Sequence, residues 1–144
     1  MDDAHYGFVV AMNGNFWNRL SDNASSIKYF VRRGAVAPTQ TQHLLFYVGK
    51  RMQILGKADF VERIVGDTED LWSRFGAESF FESADEYRAF AGGSRKMTFI
   101  RFENFQAYPD PKPKNEVIRV LGSLVWFRPK YVSESNAELL GGNV

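Results

Sequence analysis

At 144 residues the chain fits one domain, long enough to bury most of the surface that unfolding exposes. It has no cysteine, which excludes disulfides and thiolate metal sites. Its two histidines, His5 and His43, are too few for a histidine zinc centre without carboxylate help. The net charge is only +1, so a polyanion partner has to be met by uneven placement of charge rather than by bulk basicity.

In chain order, Tyr6 to Met12 (YGFVVAM) is a β-rich run and a first strand. Asn13-Gly14-Asn15 follows as a turn, with Asn15 positioned to cap a helix from Phe16 to about Asp22. Ile27 to Arg33 (IKYFVRR) reads as an extended edge. Gly34 to Gln42 lacks any period, and Pro38 breaks it as a loop. His43 to Val48 is an apolar run that ends at the Gly49-Lys50-Arg51 turn. In the long strand after it, Met52, Ile54, Ala58, Phe60 and Ile64 are expected on one face, with Gln53, Lys57, Asp59 and Arg63 on the other. Gly56 marks a bulge or bend within that strand. A long, bent hairpin with one oily face is what closes a small barrel.

Beyond the hairpin, Asp67 or Thr68 caps a helix that Gly76 stops, and Ser83 with Glu86 has capping-box spacing for a second. Arg95 to Tyr108 reads as a long strand. Pro109 to Lys114 is a stiff, extended connector, Asn115 caps a short helix to Leu121, and Ser123 to Phe127 is a last buried strand. The expected architecture is α+β, a small mixed β-barrel of about six strands with short helices in the connections. Residues 1–132 form one domain and 133–144 a polar tail. No apolar run approaches the roughly 20 residues of a membrane span, and nothing resembles a signal peptide. The expectation is a soluble, cytoplasmic protein, a monomer or weak homodimer, without metal or cofactor.

The charges alternate by segment. Lys28 to Arg63 carries seven basic residues against two acidic, and Ile64 to Phe90 carries two against seven. Ala91 to Lys130 returns to eight against three. A basic face opposite an acidic helical one is expected, and such a face suits a polyanion. Catalytic patterns are scarce: there is no P-loop, no dinucleotide glycine pattern and no helical histidine pair. The more informative feature is rings beside cations, at Phe16-Trp17, Lys28-Tyr29-Phe30 and Arg32-Arg33. Lysine and arginine bind phosphate and an exposed ring stacks a base, while the loop amides Asn13 and Asn15 can read a base edge. Phe16 and Trp17 can equally plug one end of the barrel.

The run YGFVVAMNGNFW, followed by HLLFYVG and MQILGKADFVERI, resembles the PUA-like superfamily, in particular its EVE and ASCH branches. The resemblance spans about Tyr6 to Phe127 and implies a PUA-like pseudobarrel with a cleft for RNA or a modified nucleobase. It places Asn13, Asn15, Trp17, Lys28, Tyr29, Arg32 and Arg33 in that cleft. Lys57, Arg95 and Lys96 are added as phosphate contacts on charge alone. The ASCH pattern G-x-K-x-x-E-x-R is met at Ser26 to Arg33 by Lys28 and Arg33, but Ser26 replaces the glycine and Val31 the carboxylate. Valine neither moves a proton nor attacks a carbonyl. The first expectation is therefore a binding module for RNA or modified nucleic acid. The alternatives are an amidohydrolase of a modified nucleoside, pairing Lys28 with Glu62 or Glu103, and a homo-oligomeric interaction protein.

Overall fold

Period-two patterning becomes six strands in one strongly bent sheet, described here from a computed structural model over residues 5–121 and 129–141. The strands are β1 (Gly7–Met12), β2 (Tyr29–Arg33), β3 (His43–Val48), β4 (Gln53–Asp67), β5 (Lys96–Ala107) and β6 (Lys130–Val132). Their order across the sheet is β2-β5-β4-β3-β1-β6. β1 and β3 run parallel and every other neighbouring pair is antiparallel. The helices are α1 (Gly14–Asp22), α2 (Thr68–Phe75), α3 (Ala84–Ala91), α4 (Lys114–Leu121) and α5 (Glu134–Leu140). Among the described residues no helix is long and apolar enough to cross a membrane.

The bend comes from the hairpin predicted to carry it. β4 pairs with β3 over Gln53–Asp59 and with β5 over Gly56–Asp67. Leu55 is an extra residue against the Phe46–Tyr47 step, and Val61 is extra against Phe102–Arg101. On β5 the extra residue falls between Glu103 and Gln106, where Asn104 has a positive φ of 55°. Three such insertions in neighbouring strands each add twist and a local kink. The sheet curls until the Arg32 guanidinium on β2 lies 5.5 Å from the Phe8 ring centre on β1, although three strands separate β2 from β1 in the sheet. No ladder joins the end strands β2 and β6 among the described residues. The barrel is thus an open pseudobarrel with a seam, not a closed cylinder.

The bulge also corrects the expected faces of β4. Ile54 and Met52 pack with Val9, Leu45, Tyr47 and Leu140 on the outer side of the sheet. Leu55, Ala58, Phe60 and Ile64 pack in the main core with Phe8, Phe46 and Phe99. One inserted residue switches the phase, because side-chain direction has period two. Asn13, not Asn15, caps α1, its Oδ1 accepting from the Phe16 N–H at 2.8 Å. Asp67 caps α2, and Ser83 caps α3, which ends at left-handed Gly92. Where a polar tail is expected, Ser133 caps α5, and its Ala137 and Leu140 are buried against the outer cluster. The expected Ser123–Phe127 strand lies outside the described residues.

Gly56 is where α1 meets the sheet. A Cβ there would come within 2.6 Å of the Gln106 carbonyl oxygen and 2.8 Å of the Trp17 ring. Gly56→Ala is expected to cost about 1–3 kcal/mol through this overpacking. Gly49→Ala, where a Cβ meets nothing within 4 Å, should stay within about 0.5 kcal/mol. Urea unfolding midpoints of the two variants check this, and equal midpoints would refute the close approach.

Candidate nucleic-acid interface

The seam widens, at the end of β1, into an open cleft of about 700 Å³. Its walls come from four places in the chain. The β1–α1 junction brings Met12, Asn13, Asn15, Phe16 and Asn18, and β2 brings Phe30 and Val31. The β3–β4 turn brings Lys50, while Phe80 and Phe90 arrive from the segments before and within α3. Each is positioned by a local cause. The Asn13 cap fixes the first turn of α1, which sets the direction of Phe16 and Asn15. Phe80 follows a short 3-10 turn, Gly76–Glu78, closed by the buried Ser79 hydroxyl donating to the Gly76 carbonyl at 2.7 Å.

Phe16, Phe80 and Phe90 form an aromatic corner. The Phe16 ring centre lies 4.6 Å from Phe80 and 6.2 Å from Phe90, the latter pair edge-on at 73°. Such offset and edge contacts are the favoured arrangements of aromatic quadrupoles. A guanidinium sits against each half-buried ring: Arg19 is 5.4 Å from Phe16, and Arg33 is 5.7 Å from Phe90. Arg33 also donates from Nε to the Phe90 carbonyl at 2.9 Å. Arg19 binds the corner together: it donates to the Phe80 carbonyl at 3.2 Å and to Glu86 at 2.5 Å, and pairs with Glu82 at 3.0 Å. The hydrogen bond from Arg19 holds the Glu86 carboxyl below its ordinary range, and the same bond raises the arginine.

Charge in the cleft has one sign. Lys50 is the only charged residue among the described lining residues, and the other polar side chains there are the amides of Asn13, Asn15 and Asn18. No carboxylate or imidazole lines it among those residues.

The residues expected from sequence divide into three groups. Asn13 and Asn15 line the cleft, although the Asn13 oxygen is committed to the cap. Arg33 stands behind Phe90, and the β2–β5 register sets it beside Met97, next to Lys96 and Arg95 at the same end of the sheet. Those three cations make no ion pair among the described residues. The second group is buried and corrects the expectation of stacking rings. Trp17 is 8% exposed, against Gly56 and 5.5 Å from Phe105, and Tyr29 is 2% exposed between Phe75 and Phe99. Neither offers a face to a base.

The third group lies elsewhere. Arg32 is half-buried over Phe8, donates to the Ala37 carbonyl and has its pKa lowered by desolvation. Lys28, at the other end of β2, pairs with Glu78 at 3.5 Å and lines a separate hollow of about 280 Å³ with Arg101 and Glu103. Glu62 is not there; it lines another hollow with Arg63. Lys57 lies mid-strand on β4, paired in register with Gln106. Phe30, noted in the sequence as a ring beside Lys28, lines the cleft, whereas sequence reading missed Asn18, Phe80, Phe90 and the role of Lys50. A signal existed for Lys50 alone, a cation at the tip of a hairpin whose strand runs from the core into the cleft wall.

A curled six-stranded sheet with short helices at its seam and a cleft against the first helix is the PUA-like fold. Within it, the chain belongs to the family described as "Domain of unknown function (DUF365)", whose model matches residues 9–126. Among solved structures it is similar to ASCH from Zymomonas mobilis, at 19% identity and a TM-score of 0.76, over 94% of each chain. A single-substitution variant of that protein gives 18% identity and 0.78 over the same shares. The N-terminal domain of Staphylothermus marinus McrB matches at 9% identity and 0.54, over 94% of this chain and 92% of its own. At such identities the likeness establishes the fold. No curated protein matches the chain.

The Arg19–Glu86 tie has a pH signature. A depressed folded pKa means that the carboxylate's contribution is complete above the ordinary glutamate value and is lost as pH falls through the folded value. Glu86→Gln should therefore lower the melting temperature at about pH 7, and the gap to wild type should close toward about pH 3. Thermal unfolding across that range reads it, and a gap independent of pH would count against the tie.

Proposed function

We propose that the protein binds nucleic acid, RNA or a strand with a modified base, by taking a nucleobase into the cleft between α1 and β2. The observation that carries this reading is the cleft's composition. Phe16 and Phe90 offer aromatic walls backed by the buried Phe80, Asn15 and Asn18 offer donors and acceptors, Lys50 offers one cation, and no described lining residue is acidic. A nucleobase needs those partners: a π-face to stack on, worth about 1–3 kcal/mol, and in-plane hydrogen bonds to its edge. A phosphate backbone leaving the cleft meets Arg33, which makes no ion pair among the described residues, and then Lys96 and Arg95, which lie near Asp67. The PUA-like fold, shared with ASCH from Zymomonas mobilis, agrees with this reading. Amides and an ammonium without a neighbouring carboxylate favour holding a base over hydrolysing it.

Fluorescence anisotropy with a labelled single-stranded RNA pool, and with DNA carrying modified bases, tests the proposal. Phe90→Ala and the pair Asn15→Ala with Lys50→Ala should each weaken binding by about tenfold or more. Arg33→Ala and Lys96→Ala should each lower the slope of log affinity against log salt by about one. Absence of binding to every pool, or affinity unmoved by salt and by these substitutions, would reject it.

A further inference from the structure

The two walls of the cleft are held in different ways. The wall from β1 and α1 is fixed by the ladder to β3 and by Trp17 against Gly56. The other wall belongs to β2, an end strand bonded to β5, with no ladder to β1 or β6 among the described residues. Main-chain hydrogen bonds therefore leave the distance across the seam unset. Side chains just beyond the cleft set it instead. Arg32 follows Val31, a lining residue, and its guanidinium lies 5.5 Å from the Phe8 ring centre across the seam. It also donates to the Ala37 carbonyl. Phe8 in turn meets Tyr131 of β6 edge-on, with ring centres 4.9 Å apart, and the Tyr131 hydroxyl accepts from the Thr39 N–H at 2.8 Å. The loop that carries Ala37 and Thr39 is bonded on its other side as well. Arg63 donates from Nε to the Val36 carbonyl at 2.9 Å, and the Val36 N–H donates to the Thr98 hydroxyl at 3.1 Å. The contacts thus form a closed ring from one end strand of the sheet to the other.

We infer that Arg32 is a positioning residue, which with Tyr131 and the 36–39 loop forms a strap that sets the width of the cleft. Arg32 is not among the described lining residues, so it acts through β2. The next residue on that strand, Arg33, bonds the Phe90 carbonyl at 2.9 Å, and the position of β2 therefore decides where the Phe90 ring stands. Phe16 belongs to the wall that Trp17 fixes. The strap thereby sets the spacing of Phe16 and Phe90, the two half-buried rings of the cleft. Stacking is sensitive to that spacing, since a gap of about 0.5–1 Å already forfeits a quarter to a half of a van der Waals contact. The choice of side chain supports the assignment. Arg32 is half-buried and makes no ion pair among the described residues, and taking a guanidinium partly out of water without a carboxylate costs free energy that an apolar side chain would not. What an apolar group cannot do is bond a carbonyl in its plane while laying its face on a ring. Both are needed to tie the loop and β1 to β2 at one distance.

The inference rests on the proposed use of the cleft for its effect on binding, and the test separates the two. Arg32→Met keeps the apolar stem and removes the planar fork, Arg32→Lys keeps a donor for Ala37, and Tyr131→Phe removes the acceptor for Thr39. Each whole chain is compared with wild type, first by ¹H–¹⁵N spectra without ligand, then by anisotropy with the same RNA pool and modified-base DNA. Arg32→Met is expected to shift the Asn15 and Phe90 amides of the free protein and to weaken binding about tenfold. Tyr131→Phe should act in the same direction by less, and Arg32→Lys should recover part of the affinity. The slope of log affinity against log salt should stay at its wild-type value. A slope lowered by about one in Arg32→Met would make the arginine a direct phosphate contact and overturn the strap. Free-state shifts confined to Phe8, Ala37 and Tyr131 would overturn it too, leaving base binding standing. Absence of wild-type binding to every pool would reject the nucleic-acid reading, and the ligand-free spectra would then decide the strap alone. Should Arg32→Met fail to fold, Tyr131→Phe carries the same comparison.

Discussion

The contact between the Trp17 indole and Gly56 is the constraint on which the cleft depends. Gly56 lies in β4 where the strand pairs with Phe46 on one side and Ala107 on the other, immediately after the Leu55 insertion. Only a residue without a Cβ lets the indole reach the strand at this bend. With Trp17 seated against Phe46 and Phe105, α1 is held over the sheet at one height and one rotation. Helical spacing does the rest. Phe16, one residue earlier, turns toward the α3 side, and Asn15 and Asn18 lie on the exposed face. Two neighbouring rings thus take opposite tasks, the larger as anchor and the smaller as wall.

Electrostatics follows from how the acidic helices spend their charge. Glu82 and Glu86 hold Arg19, Glu69 holds Arg88 at 2.8 Å, and Glu78 holds Lys28. Exposed pairs of this kind contribute little to stability. Their larger effect is to cancel cations on the α2–α3 side. Lys50, Arg33, Arg95 and Lys96 make no such pair among the described residues, so the cleft and the adjoining end of β2 and β5 keep cations that no ion pair holds. Lys28 has the strongest sequence context and is the one that is neutralised.

What sequence reading recovered is what local rules decide. The strands at Tyr6–Met12, His43–Val48 and Arg95–Tyr108, the caps at Asp67 and Ser83, and a bend at Gly56 all follow from period, propensity and glycine. What it missed depends on non-local packing. Whether Phe16 or Trp17 faces outward is set by Gly56 and Gln106, forty and ninety residues away along the chain, roughly as far as a small domain allows. Tyr29 looks like a stacking ring beside two cations, but β2 carries it into the core next to Phe99. The phase of β4 was lost because a bulge at Leu55 leaves no mark in composition, only an inverted face. Phe80 and Phe90 lie in an acidic stretch, with no cation beside either ring in sequence.

Position 31 shows how one substitution changes what a shared fold can do. A carboxylate at that position would bring a proton to exchange and a charge to pair with cationic substrates. Valine supplies neither, and its burial also keeps water from the backbone beside it. The polar side chains among the described residues of the wall are three amides and an ammonium. Lys28 and Glu103, the pair that might have supplied acid–base chemistry, share a hollow at the opposite end of β2, with Lys28 already bound to Glu78. That hollow lies apart from the cleft, and Glu62 lies in neither. On the proposed reading, the cleft selects by shape, stacking and directional hydrogen bonds.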